Sequence, residues 1–388
     1  MDHLDTRVVW AGESESLAHG GTQVPVQHSI AFGYDDVDSW LDVALGNAPG
    51  HIYSRNTNPT VRAFERKIAD LEGAEHAIAF ASGMAAVSGT LFTLLTPGSR
   101  VVSVKDTYGG TNQLFIDLLP RQKVDVDLCD TEDHEAVERA ISRGLDVLYL
   151  ETPTNPTLKV VDIEPLTAAA HEKGAIVVVD NTFATPINQQ PLALGADLVV
   201  HSASKFLGGH ADALGGALAG RRDLVQRVYH YREITGAALS PHDAYLLLRG
   251  MKTLALRIER QNASAGRIAA WLEAHDGVEA VFYPGLESNV GHEIAARQMS
   301  GFGGMLAFSL VGGFAAVRRV LPKLRLAHRA ANLGAVETIA GIPATTSHVE
   351  CTAEERAAMG IPEALVRLSV GIESPDDLIA DLQQAIGQ

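Results

Sequence analysis

From about residue 58 onward, short apolar runs alternate with stretches whose apolar residues recur at helical spacing. Residues 59–72 place Val61, Phe64, Ile68 and Leu71 on one face, with Pro59 at the first turn, and so predict an amphipathic helix. Beyond it, apolar runs at 77–81, 101–105, 124–128, 147–150, 176–179, 198–201 and 216–219 predict seven strands. The run Ile176-Val-Val-Val179 is apolar at every position, as a strand buried on both faces requires. Strands that take turns with helices in this way build a mostly parallel sheet with helices on both faces, an α/β fold. Residues 240–275 read as one long helical stretch carrying Tyr245, Leu248, Met251, Leu254 and Ile258. After it, strand-like runs near Val281, at 305–310 and at 365–371 mix with helices such as 376–386, which predicts a smaller α+β domain. Residues 1–57 are polar and show no sustained period. The expected organisation is therefore an amino-terminal arm at 1–57, a large domain at 58–250 and a carboxy-terminal domain at 251–388. An arm with no core of its own must pack on its own domain or on a neighbouring subunit.

Composition narrows the function. With 46% apolar and 20% charged residues over 388 positions, the chain is an ordinary globular protein. A net charge of −16 without a basic tract argues against nucleic acid as the main partner. The segment Met1 to Arg7 has no signal-peptide character and no apolar stretch is long enough to span a bilayer, so a cytoplasmic protein without a membrane partner is expected. Cys129 and Cys351 lie far apart and suit a reduced compartment. Fifteen histidines show no metal-ligand spacing, His201, His210 and His348 standing well apart, so no metal is expected.

The candidate chemistry gathers at the ends of the predicted strands. Lys205 follows the run 198–201 within Ser202-Ala-Ser-Lys205, where a lysine between two hydroxyls suits a cofactor aldehyde held as a Schiff base. Ser202 and Ser204, two positions apart on one face, are placed to bind the cofactor phosphate. Asp180 ends the run 176–179 and is the candidate carboxylate for keeping a pyridine nitrogen protonated. Ser82-Gly83-Met84 opens a helix whose first amides have no intrahelical partners and attract an anion. Tyr108 stands at another strand-to-helix junction, ready to stack on the ring for about 1 kcal/mol. Asn155, in Thr152-Pro-Thr-Asn155-Pro, can reach a phenolic oxygen or a substrate carboxylate. Each residue also has an ordinary reading: a solvated lysine, two helix caps, a packing tyrosine, a turn asparagine. Their convergence on one sheet edge, where open α/β sheets bind ligands, favours pyridoxal 5'-phosphate (PLP) chemistry.

With these residues assembled, the chain resembles the Cys/Met metabolism family of PLP-dependent enzymes, which holds cystathionine γ-synthases, cystathionine γ-lyases, methionine γ-lyases and homoserine ester sulfhydrylases. The likeness runs from Tyr53-Ser-Arg55 through Ala81-Ser-Gly-Met84, Tyr108-Gly-Gly-Thr111, Val179-Asp-Asn181 and Ser202-Ala-Ser-Lys205 to Leu365-Val-Arg-Leu-Ser369. It implies the aspartate-aminotransferase-like fold with a mostly parallel seven-stranded sheet, and a homotetramer in which Tyr53 and Arg55 cross to a neighbour's cofactor phosphate. A guanidinium fork and a hydroxyl suit a phosphate dianion. The resemblance further implies that Arg367 binds the substrate α-carboxylate, that Glu337 and Thr338 belong to the substrate site, and that Lys205, Tyr108 and a neighbour's Tyr53 act in catalysis. The expected activity is γ-elimination or γ-replacement on a sulfur amino acid or O-activated homoserine, with a thiol as possible co-substrate. The alternatives are a methionine γ-lyase or O-acylhomoserine sulfhydrylase, then a β-lyase or an aminotransferase on the same fold. Methionine γ-lyases carry a cysteine where this chain has Gly110, and cystathionine-handling members usually carry an arginine where it has Gln113. A nicotinamide dehydrogenase is set aside because no Gly-x-Gly-x-x-Gly follows the first strand.

Overall fold

The computed structural model describes residues 3–17, 20–346, 349, 352–358 and 360–387; His348 and Cys351 lie outside them. The helix expected at 59–72 is present as Pro59–Glu72, capped by the Asn58 side chain and ended by Gly73 in the left-handed region. Seven strands follow: β1 (His76–Phe80), β2 (Arg100–Val104), β3 (Asp125–Cys129), β4 (Val147–Glu151), β5 (Ile176–Asp180), β6 (Leu198–Ser202) and β7 (Gly216–Gly220). They form one sheet in the order β1-β7-β6-β5-β4-β2-β3. Only β7 runs antiparallel to its neighbours, β1 and β6; the other pairs are parallel.

Alternation along each strand divides the core. Ala77 and Ala79 of β1 face the helix Pro59–Glu72, whereas Ile78 and Phe80 join Val87 and Leu91 of the helix Gly83–Leu94 on the opposite face. Small residues crowd where that helix begins: a Cβ on Gly216 would strike the Ser82 carbonyl, so glycine is required for β7 to pass there.

The stretch 240–275 is two helices, Pro241–Met251 and Leu254–Glu273, rather than the single one its apolar period suggested. The break has a tertiary cause. Arg257, buried in the second helix, donates to the carbonyls of Gly250, Leu207 and Phe206, and so draws the end of the first helix onto the segment after Lys205. The second sheet contains β8 (Val278–Phe282), β9 (Met305–Leu310), β10 (His328–Arg329), β11 (Ile339–Gly341) and β12 (Leu365–Ser369), in the order β10-β11-β12-β9-β8. Its apolar face packs on Ile268 and Leu272 of Leu254–Glu273 and on Leu378 and Leu382 of Pro375–Ile386.

The first 57 residues hold more regular structure than their sequence suggested. A helix Leu4–Trp10 buries Val8 in the main core. Just beyond it, Glu13 accepts from Lys67 Nζ at 2.5 Å and from Lys252 Nζ at 2.7 Å. Farther on, Ala31 bridges Tyr53, and a helix Val37–Ala44, capped by Asp36, stands between these two arms of a hairpin. That helix buries none of its residues; Val37, Trp40, Leu41 and Leu45 are all exposed. Among the described residues no helix is long and apolar enough to cross a membrane.

Candidate active site

The carboxyl ends of β4, β5 and β6 open into a cavity of about 270 Å³. Two acids form its floor. Glu151 and Asp180 stand side by side in register at the ends of β4 and β5, and both line the cavity. Burial pushes the Glu151 carboxyl well above the usual range, and the neighbouring Asp180 adds to the push. Burial raises Asp180 too, against the pull of hydrogen bonds from Thr182, whose amide donates to Oδ1 at 3.0 Å. Among the described residues neither carboxyl has a lysine or arginine ion-pair partner, so the floor holds acid groups without a compensating cation. Glu151 also fixes the next loop, accepting from the Tyr108 amide at 2.8 Å.

Lys205 lies just past the end of β6. Its Nζ donates to Asn332 Oδ1 at 2.7 Å. Burial, and then the charge of Arg367, lowers its ammonium from 10.5 to about 8. Arg367, only 5% exposed on β12, reaches across from the second sheet and donates from Nη1 to Asn155 Oδ1 at 2.7 Å. Burial lowers its guanidinium to about 10. A buried guanidinium held by neutral acceptors, the Asn155 amide oxygen and, at 3.5 Å, the Asn332 carbonyl, is ready for a carboxylate.

The opposite end of the cavity is built for an anion. Ser82 caps the helix Gly83–Leu94, its hydroxyl accepting from the Ala85 amide at 3.1 Å. Gly83 and Met84 of the first turn line the cavity, where helix amides lack intrahelical partners. A Cβ on Gly83 would fall 2.6 Å from Ser202 Cβ, so only glycine lets helix and strand meet. Ser202 and Ser204 line the same end. The Ser204 hydroxyl also accepts from the Gly215 amide at 2.9 Å and donates to its carbonyl at 3.2 Å. Tyr108 lines the wall and is 45% exposed. A Cβ on Gly110 would sit 2.8 Å from Tyr108 Cε1, so glycine there leaves the phenol ring its place.

Four expected site residues are not in this cavity. Tyr53 and Arg55 stand exposed on the arm, the Arg55 guanidinium 5.5 Å from the centre of the Tyr53 ring. Their turn is anchored outward by Asn56, whose carbonyl accepts from Arg232 and whose amide donates to Glu233, each at 2.8 Å. Glu337 is exposed. Thr338 is buried, but its hydroxyl donates to Glu373 at 2.9 Å and accepts from the Gly371 amide at 3.0 Å. Neighbouring residues on an extended segment point apart, and here neither points to the cavity. Conversely, the sequence reading passed over Asn332, Thr182 and the role of Glu151. Glu151 carried a signal, an acid closing a buried strand next to that of Asp180; Asn332 carried none.

These residues fit PLP: an acid floor that lacks a cation meets a protonated ring nitrogen, a helix start with hydroxyls meets a phosphate, and a depressed lysine meets an aldehyde. The family model for Cys/Met metabolism PLP-dependent enzymes matches residues 5–387. An L-methionine γ-lyase of Fusobacterium nucleatum subsp. polymorphum is 43% identical over 386 residues, 99% of this chain and 98% of the relative. Among solved structures, a cystathionine γ-synthase of Xanthomonas oryzae pv. oryzae, in complex with aminoacrylate and cysteine, superposes with a TM-score of 0.93 at 38% identity, covering 98% of this chain and 97% of that one. A cystathionine γ-lyase of Micromonospora echinospora gives a TM-score of 0.92 at 42% identity, with both chains fully covered. The chain thus belongs to the Cys/Met metabolism family of PLP-dependent enzymes.

Proposed function

We propose that the protein catalyses γ-elimination or γ-replacement on a sulfur amino acid or an O-activated homoserine. The observation that carries this reading is the presence, in one cavity, of a lysine amine lowered to about 8 and a buried arginine free to take a carboxylate. When bound, PLP supplies an electron sink for carbanion chemistry. Arg367 and Asn155 hold the substrate α-carboxylate and so fix the amino acid. Lys205, neutral for about one tenth of the time at pH 7 with its ammonium lowered to about 8, would take a proton from Cα, hand it on and, neutral again, take one from Cβ, which is what loss of a γ-substituent demands. Tyr108, on the cavity wall, would stack on the ring of the bound cofactor and could give a proton to the leaving group. Asp180, with Glu151 beside it, would hold the protonated ring nitrogen, and Ser82, Gly83, Met84, Ser202 and Ser204 would hold the phosphate.

Beyond Lys205 and Arg367 no lysine or arginine among the described residues lines the cavity, and the arm offers an exposed Tyr53 and Arg55. That pairing supports a second copy whose arm completes the site, within a homotetramer. A cytoplasmic setting suits the free, buried Cys129. Water on the released product gives a 2-oxo acid and ammonia, whereas a thiol gives a new thioether. The relatedness to methionine γ-lyases at 43% identity keeps methionine among the substrates to be tried, even with Gly110 in place of cysteine.

The test is to incubate the PLP-loaded protein with cystathionine, methionine, cysteine and O-acyl homoserines, with and without a thiol, and to read products by mass. Ammonia with a 2-oxo acid, or a new thioether, is expected; amino transfer to an acceptor acid overturns the reading. Lys205→Ala loses visible cofactor absorbance and turnover together.

A further inference from the structure

We propose that Glu72 is a positioning residue: it stitches the ends of β5 and β6 together and so sets the separation between Asp180 and Ser202, a role that rests on the PLP reading of the cavity. The stitch lies on the face of the sheet away from the cavity. Asp180 and Ser202 line the cavity, and the residues beside them, Asn181 and His201, turn to the opposite face, where the helix Pro59–Glu72 ends. There both reach one carboxylate oxygen. Asn181 Nδ2 donates to Glu72 Oε1 at 3.0 Å, and His201 Nε2 lies 2.5 Å from the same atom.

The stitch stands where the backbone ladder gives out. β5 and β6 pair in register from Val178 with Leu198 to Asp180 with Val200, and the Asn181 amide adds a last bond to the Val200 carbonyl at 3.0 Å. Past that point side chains take over. On the cavity face Thr182 Oγ1 accepts from the Ser202 amide at 2.9 Å; on the reverse face the join is Glu72. Asn181 is itself held by Gln189, whose Nε2 donates to Asn181 Oδ1 at 3.1 Å and whose carbonyl accepts from Asn181 Nδ2 at 2.9 Å.

Stability alone does not call for an acid here. Glu72 is 1% exposed and ends its helix, where the partial negative charge of the last carbonyls opposes a carboxylate. Its other oxygen, Oε2, and the second ring nitrogen of His201, Nδ1, are buried without a hydrogen-bond partner among the described residues. Unpaired buried polar atoms lower stability, and an apolar side chain at 72 would avoid one of them. The acid does what no apolar residue can: it bonds both strand ends from a single point. PLP makes that matter, because its ring nitrogen and its phosphate are carried on one rigid ring, and the groups that meet them need a fixed separation. Ser202 is locked to the start of the helix Gly83–Leu94, since a Cβ on Gly83 would fall 2.6 Å from Ser202 Cβ. The phosphate end therefore moves as a unit, and cutting the stitch shifts it against Asp180 without changing its own shape.

The experiment begins with a control: wild-type protein takes up PLP, and borohydride fixes it on the Lys205 peptide. Failure there sinks the PLP reading, whatever the variants do. Apoproteins of wild type, Glu72→Leu and Glu72→Gln are then titrated with PLP, and inorganic phosphate is titrated as a competitor of its uptake. Glu72→Leu raises the PLP Kd about tenfold and leaves the phosphate inhibition constant within about twofold, because phosphate needs only one end of the site. Glu72→Gln keeps an oxygen that accepts from both donors and stays within about threefold of wild type for both ligands. If Glu72→Leu leaves PLP binding unchanged, if it weakens PLP and phosphate alike, or if Glu72→Gln loses as much as Glu72→Leu, the proposal fails. Should Glu72→Leu not fold, His201→Leu, which cuts one of the two bonds, decides. A PLP Kd raised about threefold or more, with phosphate unchanged, supports the stitch, and any other pattern overturns it.

Discussion

At the scale of single residues the site carries a cost in stability that its chemistry requires. Lys205 titrates at about 8 in the fold and at 10.5 when exposed. A group whose folded value is depressed favours the folded state above its unfolded value, and that favour is lost as pH falls through the folded value. The apoprotein therefore bears the full penalty below about pH 8 and sheds it toward pH 10.5. Lys205→Met should raise apoprotein stability near pH 7 by roughly 1–3 kcal/mol, and thermal melts across pH should show the gain shrinking as the solution becomes alkaline. The acid floor is under strain of the same kind: burial raises Glu151 and Asp180 together, and a cationic ring relieves both.

At the scale of elements, the phosphate end depends on contacts too close for any side chain. Gly216 passes the Ser82 carbonyl and Gly83 meets Ser202, so β7, β6 and the helix Gly83–Leu94 lock into one another. Gly216→Ala should displace the Ser82 turn, lower stability by roughly 1–3 kcal/mol in thermal denaturation, and weaken PLP uptake in a cofactor titration. Elements of this sheet were legible in the sequence because its central strands β4, β5 and β6 are buried and mostly apolar, and each of the seven, the half-exposed edge strand β3 included, lies within a residue of its apolar run. The helix Val37–Ala44 was not, since its apolar residues face outward and no core imposes a period on the segment around it. The break at Lys252 was equally invisible: it is set by Arg257 reaching carbonyls some 50 residues away in sequence, with |i−j| of 51 and 50. The cavity residues that read from sequence sit at strand ends, where topology fixes the direction they face. Glu337 and Thr338 do not line the cavity, since adjacency along a chain says nothing about which neighbour turns inward, and Asn332 was missed because only the tertiary fold brings it to Lys205.

At the scale of the whole molecule, two long-range joins define the site. Lys205 to Asn332 and Arg367 to Asn155 both cross between the sheets, at |i−j| of 127 and 212. A third join is expected between copies. If Tyr53 and Arg55 serve a neighbour, then Lys205→Ala and Arg55→Ala chains, each impaired alone, restore activity when co-assembled. Random mixing in a two-fold pair leaves about one quarter of the sites with both native residues. Steady-state rates of the mixture, set against those of each variant, check this; no recovery places the arm on its own cavity.

The contact of Glu13 with two lysines has a consequence during synthesis. Lys67 follows it by 54 residues and Lys252 by 239. At about 5–20 residues per second, tens of seconds separate the emergence of the carboxylate from that of its second cation. The stretch around Glu13 thus cannot complete its contacts until the segment around Lys252 has been made. Until then Glu13 holds Lys67 and lacks its second ion pair.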